Sequence, residues 1–426
     1  MQDRFGNSIT CTSADAAALY TSALDLMLTA WPGAEPLLEQ ALKEDPAFAL
    51  AHIARARVLQ MQGRMDEAHM AIAAAMAQHT HLDDRERSHT HTLSLAINGD
   101  GAGALAAIKN HIHDWPRDGL ILSLITGVYG LLGFSGIADH HQQQRDMLDA
   151  IASHWGDDWW FIAYRGWAHV EAGDAAFGAP MLETSLTQRK SNGNAAHGKA
   201  HACYELGDVS GGSRFLDEWL PGYEANAPLL PHLSWHLALF ALRLGDTAKA
   251  ERLYDGHIDP ALGRQPPFFT IVDAGAFNWR CLLRGVQRPA DALQKVSSFA
   301  SDNFSQGGIG FANVHVAYAH AANSDHDALK RHLAMTAKNA ERALHPSANT
   351  VHAVCQGIHS FAEEDYTTAV THLESALPEL PRIGGSHAQR DGVWETLVAA
   401  CMRCGNYDRA EKLLETRLGL NAIFQE

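Results

Sequence analysis

Two histidine pairs with the same spacing stand out. His197 and His201 lie four residues apart in NAAHGKAHACYELGD (194–208), and His232 and His236 lie four apart in PHLSWHLALFALRLGD. On a helix, residues i and i+4 share one face about one turn apart. Two imidazoles placed in this way can bind one metal ion, as in helical zinc sites. Each pair is therefore a candidate half of a metal site.

The spacing between the pairs predicts that they meet. His232 follows His197 by 35 residues, and His236 follows His201 by the same number. Equivalent helices of neighbouring repeats stack side by side in a solenoid. Counted from the Gly-Asp that follows each helix, the second pair lies three residues further toward the N-terminus of its helix than the first pair does. Three residues are about one turn, so both pairs lie on roughly the same helix face. We therefore expect all four histidines to converge on one surface.

The following helices supply candidates for catalysis. TIVDAGAFNWRC contains Asp273, and FANVHVAYAHAA contains His315, with His320 at the limit of the same face. Arg390 and Asp391 are polar residues in an otherwise apolar helix start and can close the site from its far end. An arginine there can orient a carboxylate or phosphate at two points, and the aspartate can fix a histidine tautomer.

The resulting prediction is a metal site that acts on a small molecule in a concave pocket. Three or four histidines with one aspartate suit Zn, Fe or Mn, and the expected chemistry is hydrolysis by an activated water or polarisation of a carbonyl. Two alternatives remain open. Neutral imidazoles can act as general acid and base without metal, or they can simply hydrogen-bond one another along a polar inner face.

Other residue clusters are weaker candidates. DDWWFIAYRGW holds Trp167, which aligns with the level of His201 and either belongs to an aromatic core or walls a ligand pocket. His111 and His113 of HIHDWP are predicted to lie on the surface, because residues two apart on a helix point away from each other.

The elements that must position these residues are helices. Alternating β-branched runs are nearly absent, and apolar residues recur at helical spacing. A Gly-Asp-like phrase recurs with glycines at 63, 99, 133, 173, 207 and 245, which are 34 to 40 residues apart. Each glycine suits the left-handed end of a helix before a tight turn. The predicted fold is all-α, an irregular tetratricopeptide-like helical-hairpin solenoid.

The solenoid is expected to run through residues 1–426 as one body. Residues 1–150 are predicted to form N-terminal hairpins, 151–300 the central repeats with the histidine pairs, and 301–426 the C-terminal repeats. Segments 255–269, 301–311 and 379–392 are rich in Gly and Pro and are predicted to be long loops.

Composition limits the classes of partner. The chain has 426 residues, 26 histidines and a net charge of −16, which argues against binding nucleic acid or an anionic membrane. There is no apolar run long enough for a membrane span and no signal-peptide pattern at the start. Six scattered cysteines fit a reduced cytosol, so a cytoplasmic location is expected. A homodimer remains open.

Several phrases resemble one known family. GGSHAQRD (384–391), WHLALFAL, YDGHI, SADAAALYTSALDLML and DDRERSHTHTLSLAINGD are similar to the tetratricopeptide repeat protein 38 family, in a bacterial-type form. The resemblance covers nearly the whole chain and implies a helical repeat fold. It places His89, Asp273 and His315 at family positions, and His387 lies in the most specific motif. Thr126 and Gly127 stand where many relatives have His-Asp.

These observations leave two main functions. The first is a cytosolic enzyme, a metal-dependent hydrolase in which Asp273, His315, Arg390 and Asp391 act in catalysis. Trp167, His89 and His387 would then bind the substrate. The second is a non-catalytic scaffold that holds a peptide or protein partner, the usual work of such repeats. The concentration of unlike polar residues in the central repeats favours the enzyme.

Overall fold

The computed structural model describes residues 1–417 and confirms the all-α prediction. The N-terminal third contains eight helices: α1 (Ala14–Leu28), α2 (Ala34–Glu44), α3 (Ala49–Met61), α4 (Met65–Ala77), α5 (Asp84–Ile97), α6 (Gly101–Asp114), α7 (Gly119–Ser123) and α8 (His140–Ile151). The extended structure within residues 1–417 is one isolated β-bridge between Gln2 and Ser8.

The central third carries the histidine pairs. Its helices are α9 (Trp159–Glu171), α10 (Ala175–Gln188), α11 (Gly193–Glu205), α12 (Val209–Trp219), α13 (Leu230–Arg243), α14 (Thr247–Leu253) and α15 (Pro267–Leu283). Each odd-numbered helix from α9 to α13 packs against its even-numbered successor as a hairpin, and α9, α11, α13 and α15 contact one another in series. This row of stacked helices carries the site.

The C-terminal third continues the hairpins. It contains α16 (Ala290–Phe304), α17 (Gly310–Ala322), α18 (His326–Glu341), α19 (Ala348–Ala362), α20 (Tyr366–Ala376), α21 (His387–Arg403) and α22 (Tyr407–Thr416). α21 packs against α15 and also touches α11, so the C-terminal repeats turn back onto the central row. Among the 22 helices of residues 1–417, none is both long and apolar enough to cross a bilayer.

The Gly-Asp turns work as the sequence predicts at five of six positions. Gly207 has φ +70° and Gly245 has φ +75°, and the Asp that follows each one caps the next helix with its carboxylate. Gly63, Gly99 and Gly173 also have positive φ. The prediction is wrong at Gly133, which has no positive φ. A Cβ there would meet the Val128 carbonyl oxygen at 2.7 Å, so the glycine allows a close backbone approach.

The predicted long loops are shorter than the sequence suggested. Residues 254–258 and 260–262 form short helical turns, and α15 begins at Pro267 inside the first segment. In the second segment only residues 305–309 lie between α16 and α17. In the third, a 3₁₀ helix covers Leu377–Ile383 and α21 begins at His387. Pro is tolerated at these helix starts because the first N–H groups need no intrahelical partner.

Helix α11 joins two groups of buried apolar side chains. One group runs from Phe5 to Ala202 and the other from Ala200 to Leu413. On α11, Ala195 and Ala196 in the first turn belong to the first group, and Ala200 and Tyr204 further along the helix belong to the second. The helix with the first histidine pair therefore lies at the boundary between the N-terminal and C-terminal cores.

The N-terminal repeats bury a charged cluster around Asp118. One carboxylate oxygen of Asp118 lies 2.6 Å from Arg85, 2.8 Å from His89 Nδ1 and 3.2 Å from His111 Nε2. His111 is fully buried, so its predicted surface position is wrong, whereas His113 is exposed. The reason is that His111 faces α5, where Ser88 contacts its Nδ1 at 2.8 Å. His89 thus belongs to this cluster.

We expect Gly207→Ala and Gly245→Ala each to destabilise the protein by about 1 kcal/mol, because alanine is strained at positive φ. A Cβ at either position meets nothing within 4 Å, so backbone strain is the only cost. Chemical denaturation measures the free energy of unfolding. Gly256→Ala is the matched control, since Gly256 is equally open without a positive φ, and it should be neutral or mildly stabilising. Equal effects at the three positions would contradict the turn assignment.

Asp118→Asn is expected to lower the free energy of unfolding by about 3 kcal/mol, because it leaves a buried arginine without its counter-charge. Burial would raise the pKa of Asp118, but His89, His111 and Arg85 hold it well below its usual value. The stabilisation is therefore present above the unfolded-state pKa of about 3.9 and is lost in acid. The exposed Asp114→Asn is the control. Equal stability of the two variants at pH 7 would refute the role of Asp118.

Candidate functional site

Helices α11 and α13 bring the four paired histidines together, as the repeat spacing predicts. His197, His201, His232 and His236 are each at most 3% exposed. The Nε2 of His197 lies 2.9 Å from the Nε2 of His201 and 3.1 Å from the Nε2 of His236. One ring nitrogen from each of the four lies within 4.8 Å of the others. The centre formed by these four imidazoles is called the histidine cluster below.

Two buried carboxylates hold the outer ring nitrogens of the cluster. Asp273 on α15 contacts the Nδ1 of His232 at 2.7 Å, and Glu171 at the end of α9 contacts the Nδ1 of His201 at 2.7 Å. Both carboxylates are 2% exposed. A carboxylate accepts and cannot donate, so each of these Nδ1 atoms carries the proton. The Nε2 atoms of His201 and His232 then present lone pairs to the centre.

A count of protons shows what the centre lacks. A neutral imidazole carries one N–H, and His201 and His232 place theirs outward on Nδ1. Only His197 and His236 can place a proton between the Nε2 atoms, and both short contacts pass through the Nε2 of His197. This atom can either donate to His201 or accept from His236, so one of the two contacts is left without a hydrogen bond. The Nε2 of His232 has no hydrogen-bond partner among the described residues.

The electrostatic surroundings keep two of the four imidazoles neutral. Burial, followed by the nearby imidazoles, lowers the pKa of His197 and of His236 well below the usual value. Burial would raise the pKa of Glu171, but His201 and His387 outweigh it, and that pKa lies below its usual value. His197 and His236 are thus neutral nitrogen donors in a cluster that borders an ionised carboxylate. Neutral imidazole is the form that binds metals.

Aromatic rings enclose the histidine cluster. The ring centre of Trp167 lies 4.6 Å from that of His197 and 5.3 Å from that of His201, at the level the sequence predicts. Trp235 stacks on His232, with ring centres 5.3 Å apart. Both tryptophans are buried. They shield the imidazoles from water, so the histidine-lined interior is closed where the sequence suggested a concave pocket.

Glu171 connects the cluster to residues of the GGSHAQRD segment. Its second oxygen accepts a hydrogen bond from the His387 backbone N–H at 3.2 Å and lies 3.9 Å from His141 Nε2. Arg390 donates to His141 Nε2 at 3.0 Å and to the carbonyl oxygens of Gly384 and Gly385. The side chain of His387 is 28% exposed. This segment therefore links the closed cluster to the protein surface.

Asp391 has a different partner from the one expected. It accepts hydrogen bonds from Arg417, at 2.7 Å to Nη2, and from the Tyr204 hydroxyl at 2.9 Å. The prediction that Asp391 fixes a histidine tautomer is wrong, because an arginine that also binds Glu205 occupies both of its oxygens. Glu171 holds that position instead.

The remaining predicted residues lie outside the cluster. His315 is buried on α17, with its Nδ1 2.8 Å from the Phe311 carbonyl oxygen, and its Nε2 has no partner among residues 1–417. His320 contacts Ser297 at 2.9 Å. His89 belongs to the Asp118 cluster, where Arg85 already neutralises the carboxylate. The structure thus brings together five predicted residues, the four histidines and Asp273, with Trp167 beside them.

Sequence reasoning missed three residues at or next to the site. Glu171 ends α9 two residues before Gly173, and Glu205 ends α11 two residues before Gly207. The recurring Glu-x-Gly-Asp phrase was therefore a usable signal for an acid at the same repeat position. His141 gave no such signal, because it precedes no turn and lies far from the histidine pairs along the chain.

Buried neutral histidines should make the fold sensitive to mild acid. Burial lowers the pKa of His315, His320 and His332 to about 4 each. In the unfolded chain these histidines bind protons near pH 6.5. Between pH 6.5 and pH 4 the unfolded state therefore holds more protons than the folded state, and the free energy of unfolding decreases as the pH is lowered. The three together should remove about 4 kcal/mol between pH 7 and pH 5.5.

Equilibrium unfolding in urea at the two pH values measures this loss. His320→Asn removes one of the three titrating groups and should reduce the pH-dependent loss by about one third. The exposed His113→Asn should leave the loss unchanged. A free energy of unfolding that stays flat from pH 7 to pH 5.5 in the wild type would contradict the burial of these neutral imidazoles.

Comparison with known proteins gives distant structural likenesses. No family model matches the sequence. Among solved structures, the chain is similar to yeast Tom70, with 13% identity over 95% of this chain and 85% of that one, at a TM-score of 0.39. It is similar to the human IFIT1 dimer with m7Gppp-AAAA, with 13% identity over 99% and 98% and a TM-score of 0.39. It is also similar to the P58(IPK) TPR domain, with 14% identity over 94% and 89% and a TM-score of 0.23. The chain has a tetratricopeptide-like fold, and these distant likenesses do not extend to activity.

Proposed function

We propose that this protein is a metal-binding helical-repeat protein whose histidine cluster holds one divalent transition-metal ion. The observation that carries the proposal is the convergence of His197, His201, His232 and His236 with carboxylates on two of the outer nitrogens. Metal-ligating histidines usually donate their other N–H to a carboxylate in this way. The Nε2 of His232 has no hydrogen-bond partner among the described residues, which is consistent with a metal-ligating atom.

The donor set indicates the class of metal. Four imidazoles suit Zn, Fe or Mn among the biological divalent ions, and they do not suit Ca or Mg, which prefer oxygen. Such an ion, when bound, supplies Lewis acidity and can activate a water. Glu171 and Asp273 orient two of the imidazoles, while Trp167 and Trp235 exclude solvent. Cytoplasmic location and membership of the tetratricopeptide repeat protein 38 family are part of the same proposal.

The reaction class we propose is hydrolysis of a small molecule that approaches from the His387 side. His387 is the partly exposed member of the group around Glu171, and its backbone N–H binds that carboxylate. Glu171 lies between two histidines, with one oxygen 2.7 Å from His201 Nδ1 and the other 3.9 Å from His141 Nε2. Arg390 positions His141. Burial lowers the pKa of Arg390 to about 10, so its guanidinium remains charged at neutral pH.

A second candidate function is a scaffold for a protein partner. Leu206 and Leu244 stand at the same position of successive repeats, directly before Gly207 and Gly245, and each is about half exposed. Apolar side chains repeated along one edge of a solenoid are typical of a partner-binding surface. This observation favours the scaffold, and the metal is then a link between α11 and α13 that stiffens it.

Elemental analysis of the purified, untagged protein tests the proposal. We expect about one Zn, Fe or Mn per chain in the wild type and at least a tenfold loss in His201→Ala/His236→Ala, since two of four ligands are removed. His91→Ala/His113→Ala is the matched control, because both of those histidines are exposed. Glu171→Gln should weaken metal affinity by 10- to 100-fold.

The outcomes separate the two functions. No metal in the wild type, and no uptake of added Zn, Fe or Mn, would refute the metal site. Metal together with chelator-sensitive hydrolysis in an ester and amide substrate panel, lost in the double variant, would support the enzyme. Metal without hydrolysis, with capture of a partner that depends on Leu206 and Leu244, would support the scaffold.

A further inference from the structure

Two arginines bind a single buried carboxylate at the ends of α13 and α15, and a third arginine lies near enough for its charge to act on it. Arg280 Nε lies 3.3 Å from one oxygen of Glu395, and Arg284 Nη2 lies 3.5 Å from the other. Arg243, the last residue of α13, stacks over the Tyr204 ring at 4.0 Å. Arg280 and Glu395 are each 1% exposed. This set of Arg243, Arg280, Arg284 and Glu395 is called the arginine cluster.

The charges of the arginine cluster do not balance. Three guanidinium groups face one carboxylate, which leaves a charge of +2. Burial would raise the pKa of Glu395, but Arg280, Arg284 and Arg243 hold it below its usual value, so it stays ionised. The next carboxylate, Asp391, shares Arg417 with Glu205, so this neighbouring group carries a charge of −1 and offsets only part of the excess. An excess of buried positive charge is costly unless an anion compensates it.

The cluster also holds donors without acceptors. Both terminal nitrogens of Arg243, the Nη1 of Arg280 and the Nε of Arg284 are buried and have no hydrogen-bond partner among residues 1–417. The ring of Tyr204 meets Arg243 through its face and accepts none of the in-plane N–H groups. The negative carbonyl ends of α13 and α15 offset part of the charge. Unmade hydrogen bonds of charged groups in one place indicate a missing acceptor.

We propose that the arginine cluster is a binding site for a dianionic phosphate group, either free phosphate or the phosphate of a small metabolite. Its excess of positive charge suits a phosphate dianion, and forked guanidinium donors match tetrahedral oxyanions. Arg243 and Arg284 lie at the edge of the cluster, and their long side chains must move for an ion to enter, because their unpartnered nitrogens are buried. The proposal needs no metal in the histidine cluster.

The arginine cluster lies near the histidine cluster along the same two helices. Arg243 follows His236 by seven residues, and Arg280 follows Asp273 by seven, which is about 10 Å along a helix. The Arg280 guanidinium lies 5.6 Å from the centre of the Trp235 ring, which also lies 4.9 Å from the His236 ring and 5.3 Å from the His232 ring. A phosphate bound here is therefore one aromatic ring away from the imidazoles.

Titration of the full-length protein with inorganic phosphate, by calorimetry at matched ionic strength against chloride, tests the proposal. We expect saturable binding in the wild type, at least tenfold weaker in Arg243→Gln. Arg252→Gln, on the exposed side of α14, should bind as the wild type does. No saturable binding in the wild type, or equal binding in Arg243→Gln, would overturn the phosphate site.

Glu395→Gln gives the sharper test, because it removes the competing carboxylate and keeps its shape. If the arginine cluster is a phosphate site, this variant should bind phosphate severalfold more tightly. If the cluster only stabilises the fold, the variant should be less stable without tighter phosphate binding, and this outcome would overturn the proposal. If Glu395→Gln does not fold, Arg284→Gln replaces it, with an expected tenfold weakening. Glycerol 3-phosphate binding tenfold tighter than phosphate would identify a metabolite phosphate, and the reverse would identify the free ion.

Discussion

The contact of two buried carboxylates with two imidazoles determines the chemistry of the interior. Glu171 and Asp273 each hold an Nδ1 proton of a histidine, at 2.7 Å in both cases. Without these acceptors, the four rings could choose tautomers that satisfy one another. With them, the lone pairs of His201 and His232 are directed inward, and neighbouring rings cannot supply enough protons. The arrangement costs desolvation of two charges, and it gives a preorganised set of nitrogen donors.

Close packing of helices makes this contact geometrically possible. Gly198 lies between the two histidines of α11, where a Cβ would meet Leu182 at 2.7 Å and Trp167 at 3.3 Å. Gly166 and Gly178 let α9 and α10 approach until a Cβ on Gly178 would lie 2.2 Å from the Gly166 carbonyl oxygen. Small residues thus bring α9 near enough to α11 for Glu171 to reach His201. The polar centre depends on apolar contacts around it.

The fold and the core of the site could be predicted from sequence because both follow from periodicity. Helical spacing gave the fold class, and the equal separation of the histidine pairs gave their convergence. Asp273 was also predictable, because it lies on the face of α15 that is turned toward the histidine pairs. The failures share one physical origin, contacts between residues far apart in sequence. Asp391 is held by Arg417 and Arg390 by His141, and His111 turns inward toward Ser88. No local pattern encodes such pairings, and His89 likewise pairs with the distant Asp118. His315 differs, because it contacts the Phe311 carbonyl oxygen of its own helix.

The position of α11 between two cores restricts how this chain can change over time. A residue inserted inside a helix rotates everything after it by about 100°. In α11 such an insertion would turn Ala200 and Tyr204 away from the second core while Ala195 and Ala196 kept the first, and it would separate His201 from His197. Length variation among descendants of this sequence is therefore confined to the turns and to outer helices such as α12 and α14. The stacked helices α9, α11, α13 and α15 can therefore change in amino-acid composition but not in length.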